Sequence, residues 1–149
     1  MNRSVNTMKP TTAIKDIMTT SMITVYPDDT IAIVRDKITS NQIHHVPVVQ
    51  DGKVLGMISM NDIHKMEHHF TQFKNPEAQV SNSQIFASML AKEIMSSPVV
   101  KVKQTEPVSV AVDLLLQNLF HALPVVDEKD ELVGMITTFD LVRHSLDPK

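Results

Sequence analysis

The chain has 149 residues, 42% of them hydrophobic and 21% charged, with a formal net charge of −3 at pH 7. This composition predicts a globular protein, and its weak negative charge argues against general binding to nucleic acid or anionic membranes, which requires a basic surface. The absence of cysteine excludes disulfides and cysteine nucleophiles and is compatible with a reducing compartment. No apolar stretch is long enough for a signal peptide or a membrane span, so we expect a cytoplasmic protein.

Each half of the chain predicts the same series of elements. A short helical stretch ending in Ile-Met is followed by a strand, a helix, two strands and a closing helix. The opening strands are expected at Met22–Val25 and Val99–Val102, and the paired strands of the first half at His45–Val49 and Val54–Ser59, joined by an Asp-Gly hairpin turn. Apolar residues at helical spacing predict the first long helix, which contains Ile31, Val34 and Ile38.

Three short motifs mark this repetition. Ile17-Met18 returns as Ile94-Met95, His44-x-x-Pro47-Val48-Val49 as His121-x-x-Pro124-Val125-Val126, and Gly56-Met57-Ile58-Ser59-x-x-Asp62 as Gly134-Met135-Ile136-Thr137-x-x-Asp140. The offset is 77 residues for the first two motifs and 78 for the third, so one extra residue precedes Gly134. A fixed period with matched motifs predicts two copies of one supersecondary unit, with function expected where the copies meet.

The repeats divide the chain into five predicted segments. We expect an N-terminal extension at 1–13, a first repeat at 14–64, a linker at 65–89, a second repeat at 90–144 and a tail at 145–149. None of the three glycines lies in a glycine-rich phosphate loop, which excludes a P-loop or Rossmann enzyme.

The three motifs, in order and twice, resemble tandem CBS domains, the pair known as a Bateman module. The resemblance implies an α/β (α+β) fold in which two β-α-β-β-α repeats pack about a pseudo-twofold axis. It also implies two clefts between the repeats that commonly hold adenosyl ligands such as AMP, ADP, ATP or S-adenosylmethionine. No other cofactor is expected.

The Ser/Thr-x-x-Asp pairs are open to two interpretations. Ser59 with Asp62, and Thr137 with Asp140, have the spacing of a capping box at a helix N-terminus. A helix N-terminus also attracts phosphate, and a carboxylate beside it can accept hydrogen bonds from a ribose diol. The resemblance implies the second role, in which the aspartate holds ribose and the hydroxyl contacts phosphate.

Histidines and apolar residues extend the predicted nucleotide sites. In relatives, the two residues immediately before the Val-Pro or Leu-Pro pair are often His or Arg that bind phosphate. These positions are occupied by His44 and His45 in the first repeat and by His121 and Ala122 in the second. Without Arg or Lys there, a monophosphate or a cationic adenosyl ligand is favoured over ATP, and the two clefts should differ in affinity. These histidines could equally be ordinary strand residues.

The adenine wall is predicted from four further residues. The resemblance implies Ile23 and Val100, with Thr19 and Ser96 close by, although Ile and Val in strands are more often core residues.

The sequence gives little support for metal binding or catalysis. His64 and His68 have the i, i+4 spacing that can chelate a metal, but a third ligand is not evident, so we predict no metal site. No nucleophile is accompanied by a base and an orienting partner, so we predict no enzymatic activity and no catalytic residues.

Leu114 and Leu116 replace Lys37 and Thr39 of the first repeat. They lie off the core-facing stripe, which indicates either a broader core face or a homodimer interface.

We therefore predict a homodimeric regulatory module that binds an adenosyl small molecule and acts on a protein partner whose identity is unknown. A ligand-free dimeric scaffold for protein interactions is the alternative.

Overall fold

The computed structural model describes residues 9–71, 84, 87–118 and 121–146. The helices are α1 (Ile31–Ser40), α2 (Met60–Thr71), α3 (Ala91–Ile94), α4 (Val108–Asn118) and α5 (Thr138–Leu146), and a 3₁₀ turn covers Ile14–Asp16. The strands are β1 (His45–Gln50), β2 (Lys53–Ser59), β3 (Val102–Lys103), β4 (Ala122–Val126) and β5 (Leu132–Thr137). The chain divides into two compact units: a contiguous unit, Ile23–Val99, and a split unit made of Met1–Met22 and Val100–Lys149.

The contiguous unit is built around a hairpin. Strands β1 and β2 pair antiparallel, and Val25 adds a single parallel bridge to Val48 on β1. The turn between the strands has positive φ at both Asp51 (52°) and Gly52 (78°), as a tight hairpin turn requires. The core of this unit contains residues from both strands and from three helices: Val25, Val34, Ile38, Val46, Val48, Ile58, Ile63 and Ala91.

The split unit repeats this arrangement with a slightly larger sheet. Strand β3 pairs parallel with β4, which pairs antiparallel with β5. The buried core residues come from the sheet, from α4 and from the 3₁₀ turn: Ile14, Ile17, Val102, Val108, Ala111, Leu115, Leu123, Val125 and Ile136. The predicted order of strand, helix, two strands and helix is confirmed in the split unit, whereas in the contiguous unit the opening strand is reduced to the bridge at Val25. The α/β fold class is confirmed.

The opening segment of each sequence repeat packs in the unit that contains most of the other repeat. Thr19 forms an antiparallel bridge with Met135 on β5, with N···O distances of 2.8 and 2.9 Å. Ser96 forms the equivalent bridge with Met57 on β2, at 2.9 and 3.2 Å. Each opening segment thus extends a hairpin about 40 residues or more away in sequence rather than the one that directly follows it.

Close contact with these segments explains the two equivalent glycines on β2 and β5. A Cβ atom at Gly56 would lie 2.6 Å from Cγ and 2.8 Å from Cβ of Met95. At Gly134 a Cβ would lie 2.6 Å from Sδ of Met18 and 3.0 Å from the Thr19 carbonyl oxygen. All four distances are shorter than a van der Waals contact, so both strands need glycine where the opening segment crosses them.

Three sequence predictions differ from the structure. The first opening strand is reduced to the bridge at Val25, because only this residue exchanges hydrogen bonds with β1. The second lies at Val102–Lys103 rather than Val99–Val102. Helix α2 continues to Thr71, so the beginning of the predicted linker is helical. Residues 1–8 of the predicted extension, 72–83, 85 and 86 of the linker and 147–149 of the tail lie outside the described residues.

Candidate functional site

The twelve predicted nucleotide-binding residues fall into two groups of six, one in each unit. The contiguous unit contains the group that we call the Asp62 site: Ile23, His44, His45, Ser59, Asp62 and Ser96. The split unit contains the group that we call the Asp140 site: Thr19, Val100, His121, Ala122, Thr137 and Asp140. Thr19 and Ser96 are therefore exchanged relative to the sequence repeats.

In the Asp62 site, Ser59 and Asp62 form a reciprocal capping box. The Asp62 N–H donates to Oγ of Ser59 at 3.0 Å, and the Ser59 N–H donates to Oδ2 of Asp62 at 2.9 Å. Ser59 is the last residue of β2 and precedes the first residue of α2, so the strand delivers this hydroxyl directly to the helix N-terminus. The capping interpretation of this pair is thus observed, and Asp62 remains partly exposed.

The Asp140 site contains the same box with additional hydrogen bonds. The Thr137 N–H and Oγ1–H both donate to Oδ2 of Asp140, at 2.9 and 3.0 Å, and the Asp140 N–H donates to Oγ1 of Thr137 at 3.2 Å. The hydroxyl of Thr19 donates to the other carboxylate oxygen, Oδ1, at 2.8 Å. Asp140 is 7% exposed, and these hydrogen bonds compensate for burial of its charge.

The contact between Thr19 and Asp140 could not be found by spacing, since the two residues are 121 positions apart. The sequence placed Thr19 near an adenine wall, whereas the structure joins it to the carboxylate of the opposite repeat. The signal that could have located it is Gly134, which marks the point where a backbone segment crosses β5.

A histidine precedes the paired strands in each unit and is tied by its backbone to the helix N-terminus. The carbonyl oxygen of His44 accepts a hydrogen bond from the Met60 N–H at 2.9 Å, and that of His121 accepts one from the Thr138 N–H at 3.2 Å. Both histidines are exposed, and His45 is half-buried. The backbone of each histidine is therefore tied to the first residue of the helix that carries the capping box.

The predicted apolar wall is less uniform. Ile23 packs partly against the core of the contiguous unit, whereas Val100 is 40% exposed and lies outside the strands. Ala122 is buried in β4, opposite Thr137 in the antiparallel register. Val100 is thus the one of these three residues with substantial surface available to a ligand.

The two leucines of the predicted dimer interface have different surroundings. Leu114 packs against the core of the split unit, so the expectation that both leucines lie off the core is wrong for this residue. Leu116 is 72% exposed. Residues two positions apart along a helix are about 200° apart around its axis, so Leu114 packs against the core while Leu116 faces solvent.

Within the described ranges, no three His, Cys, Asp or Glu side chains are grouped closely enough to hold a metal ion. None of the helices in this part of the chain has the length and apolar character needed to cross a bilayer. The cytoplasmic location stays a prediction.

Comparison with known proteins identifies the repeated unit. The family model for the CBS domain matches residues 14–68 and 91–147. The chain is 28% identical over 130 residues to a CBS domain-containing protein of Dictyostelium discoideum. The aligned region covers 87% of this chain and 88% of that protein. Because the family model matches most of the chain in two copies, this protein belongs to the CBS domain family, as a tandem CBS domain protein.

Two further comparisons concern length and fold. The chain is 27% identical over 131 residues to protein MJ1225 of Methanocaldococcus jannaschii, covering 88% of this chain but only 46% of that protein. The crystal structure of the CBS domain pair of protein MJ0100, in complex with 5′-methylthioadenosine and S-adenosyl-L-methionine, is 27% identical. Its TM-score is 0.72, and the match covers 94% of this chain and 100% of the other.

Proposed function

We propose that this protein is a non-enzymatic regulatory module that binds an adenosyl ligand at the Asp62 and Asp140 sites. The observation that carries the proposal is the side-chain arrangement at the start of α2 and α5. In both units a carboxylate and a hydroxyl lie at a helix N-terminus, and the backbone of a neighbouring histidine is hydrogen-bonded to the first residue of that helix. A helix N-terminus favours a phosphate or another electron-rich group, and the carboxylate can accept the hydroxyl hydrogens of a ribose.

The comparison with protein MJ0100 supports this chemistry. That CBS domain pair holds 5′-methylthioadenosine and S-adenosyl-L-methionine, two ligands that share an adenine, a ribose diol and a sulfur-bearing 5′ carbon. A site whose predicted residues include one carboxylate and histidine, but no Arg or Lys, suits such ligands or a nucleoside monophosphate. A triphosphate would require more positive charge than these residues supply.

Regulation would follow from a ligand-dependent change in the relative stability of two conformations of the protein. A ligand that binds one conformation better than another shifts the population toward it, and a protein partner could respond to that shift.

The first test is thermal unfolding with AMP, 5′-methylthioadenosine and S-adenosylmethionine, with GTP as the control. A ligand present at about 100 times its Kd stabilises the folded state by roughly 2.7 kcal/mol. For a chain of this length the unfolding midpoint should rise by about 5–10 °C. A shift with an adenosyl compound and none with GTP supports the proposal. An unchanged midpoint with all three compounds would instead favour the ligand-free scaffold.

Substitution of the carboxylates connects such a shift to the proposed sites. Asp62→Ala and Asp140→Ala should each weaken binding at their own site by about 10- to 100-fold, because a hydrogen bond to a charged group is lost. Asp113→Ala, an exposed aspartate on α4, is the matched control and should bind as the wild type does. Calorimetry that finds unchanged affinity in both variants would place the ligand elsewhere.

We also propose that the protein is a homodimer that uses the exposed side of α4. The support is Leu116, a large apolar side chain that is 72% exposed. Light scattering should give the mass of two chains for the wild type and of one chain for Leu116→Asp. Thr39→Asp, at the equivalent exposed position of α1, should remain dimeric. A monomeric wild type, or a dimeric Leu116→Asp variant, would contradict this proposal.

A further inference from the structure

The two sites use equivalent residues but differ in how many hydrogen-bonding positions are already occupied. An ionised carboxylate offers two oxygens with two lone pairs each. In the Asp62 site, Oδ2 of Asp62 accepts one hydrogen bond, from the Ser59 N–H. Among the residues that the structure describes, Oδ1 of Asp62 has no partner, and the Ser59 hydroxyl hydrogen has no acceptor.

In the Asp140 site nearly all of these positions are taken. Oδ2 of Asp140 accepts two hydrogen bonds from Thr137, and Oδ1 accepts one from the Thr19 hydroxyl. One lone pair on Oδ1 is left, whereas a ribose diol presents two hydroxyl donors. The hydroxyl hydrogen of Thr137 is also already donated to the carboxylate.

The cause of the difference is the identity of the residue that crosses the hairpin. Thr19 and Ser96 form the same backbone bridge in their respective units. Only the Thr19 side chain donates to the neighbouring carboxylate; the described residues contain no such bond from Ser96. A β-branched side chain has fewer χ1 rotamers than serine, which favours a fixed direction for the Thr19 hydroxyl.

We propose that Thr19 is an internal competitor for the ribose, so that the Asp62 site binds adenosine-type ligands tightly and the Asp140 site binds them weakly. In the free protein the Thr19 hydroxyl holds the position on Asp140 that one ribose hydroxyl would occupy. Binding at this site requires that hydrogen bond to break, whereas binding at the Asp62 site uses an oxygen that is already available. This inference rests on the proposed function and assigns an order of occupancy to its two sites.

The test uses two probes that differ by one hydroxyl, adenosine and 2′-deoxyadenosine. Calorimetry on Asp140→Ala reports the Asp62 site, and calorimetry on Asp62→Ala reports the Asp140 site. At the Asp62 site, adenosine should bind about 10-fold or more tightly than 2′-deoxyadenosine, since both ribose hydroxyls can reach the carboxylate. At the Asp140 site the preference should fall to about 3-fold or less.

Replacement of Thr19 should then restore the preference for adenosine over 2′-deoxyadenosine at the Asp140 site. Thr19→Val keeps the shape of the side chain and removes its hydroxyl. Combined with Asp62→Ala, it should tighten adenosine binding at the Asp140 site by about 3- to 10-fold and raise the preference for adenosine toward 10-fold. Thr105→Val, an exposed threonine in the same unit, is the matched control and should change neither value.

Each outcome has a definite meaning. If Thr19→Val weakens adenosine binding, Thr19 is a ligand contact and the inference is overturned. Equal preference for adenosine at both sites in the presence of Thr19 overturns it as well, while leaving the proposed function intact. If adenosine binds to none of the proteins, wild type included, the inference fails, and the proposed function fails with it only if AMP, 5′-methylthioadenosine and S-adenosylmethionine also leave the unfolding midpoint unchanged.

Discussion

Ser59 and Thr137 each stabilise a helix through a single hydroxyl, and the two residues differ in how many bonds depend on them. The Ser59 hydroxyl accepts the Asp62 N–H, while the Thr137 hydroxyl also donates to the Asp140 carboxylate. Removal of Ser59 therefore exposes one first-turn N–H. Removal of Thr137 also takes a hydrogen-bond donor from a buried charge.

We predict that Thr137→Ala is more destabilising than Ser59→Ala. Loss of an N-cap side chain costs about 0.5–2 kcal/mol, and Thr137→Ala should lie at the upper end of this range because Asp140 is buried. Urea denaturation monitored by circular dichroism gives both free energies of unfolding. Thr137→Ser, which retains the hydroxyl, should recover most of the loss. Equal costs for the two alanine variants would contradict the prediction.

At the scale of single residues, the contacts that could be predicted are those that depend on spacing within a short stretch of sequence. Ser-x-x-Asp and Thr-x-x-Asp have the local spacing of a capping box at a helix N-terminus, so both boxes could be predicted. The bond from Thr19 to Asp140 depends on which segments pack together, and neither residue carries a local sign of the other.

The turn of the β1–β2 hairpin depends on the backbone conformation of two residues. Asp51 and Gly52 both have positive φ, a conformation that glycine adopts freely and aspartate tolerates. We predict that Gly52→Ala destabilises the protein by about 1–2 kcal/mol, because a Cβ atom is strained in this region. Asp51→Asn should be nearly neutral, since asparagine also tolerates this conformation. Thermal unfolding of the two variants tests both statements, and an unaffected Gly52→Ala would exclude this turn geometry.

The crossing of β2 by the segment that follows α3 gives a second prediction. Gly56→Ala should cost about 1–3 kcal/mol, because the new Cβ would overlap the side chain of Met95. Met95→Ala removes the Cγ and Sδ atoms responsible for most of that overlap. The double variant should therefore be more stable than the sum of the single effects predicts, by about 0.5 kcal/mol or more. Strict additivity of the unfolding free energies would show that the contact does not form.

Helices and hairpins followed from local patterns, but the opening strands did not. Val25 exchanges backbone hydrogen bonds with Pro47 and Val49 on either side of Val48, and the preceding predicted strand residues have no ladder partner within the described chain. A run of apolar β-branched residues shows that a segment can be extended. Where it pairs depends on the register of a distant strand, which is not visible in the run itself.

At the scale of the whole molecule, the sequence repeats and the folded units do not contain the same residues. The core of the contiguous unit includes Ala91, with Ile94 and Met95 packed against it, although these residues lie in the second repeat. Ile14 and Ile17 open the first repeat and are buried in the split unit. Periodicity showed that there are two copies, but it could not show that the copies exchange their first segments.

This exchange predicts which fragment folds. A fragment of residues 23–99 retains the complete core of the contiguous unit, whereas a fragment of residues 14–64 lacks Ala91, Ile94 and Met95 and carries Ile14 and Ile17 without their partners. We expect cooperative thermal unfolding, by circular dichroism, from the first fragment and none from the second. Cooperative unfolding of 14–64 would mean that the opening segment can pack within its own repeat.

The exchange also sets an order of events during synthesis on the ribosome. Residues 23–99 are consecutive, so the contiguous unit can form as soon as this stretch has emerged. The segment around Ile14 and Thr19 emerges before this stretch but must wait until β5 and α5, more than 100 residues later, provide its partners. At about 5–20 residues per second this delay lasts roughly 5–25 seconds. This segment is thus translated before the contiguous unit but reaches its native contacts after it.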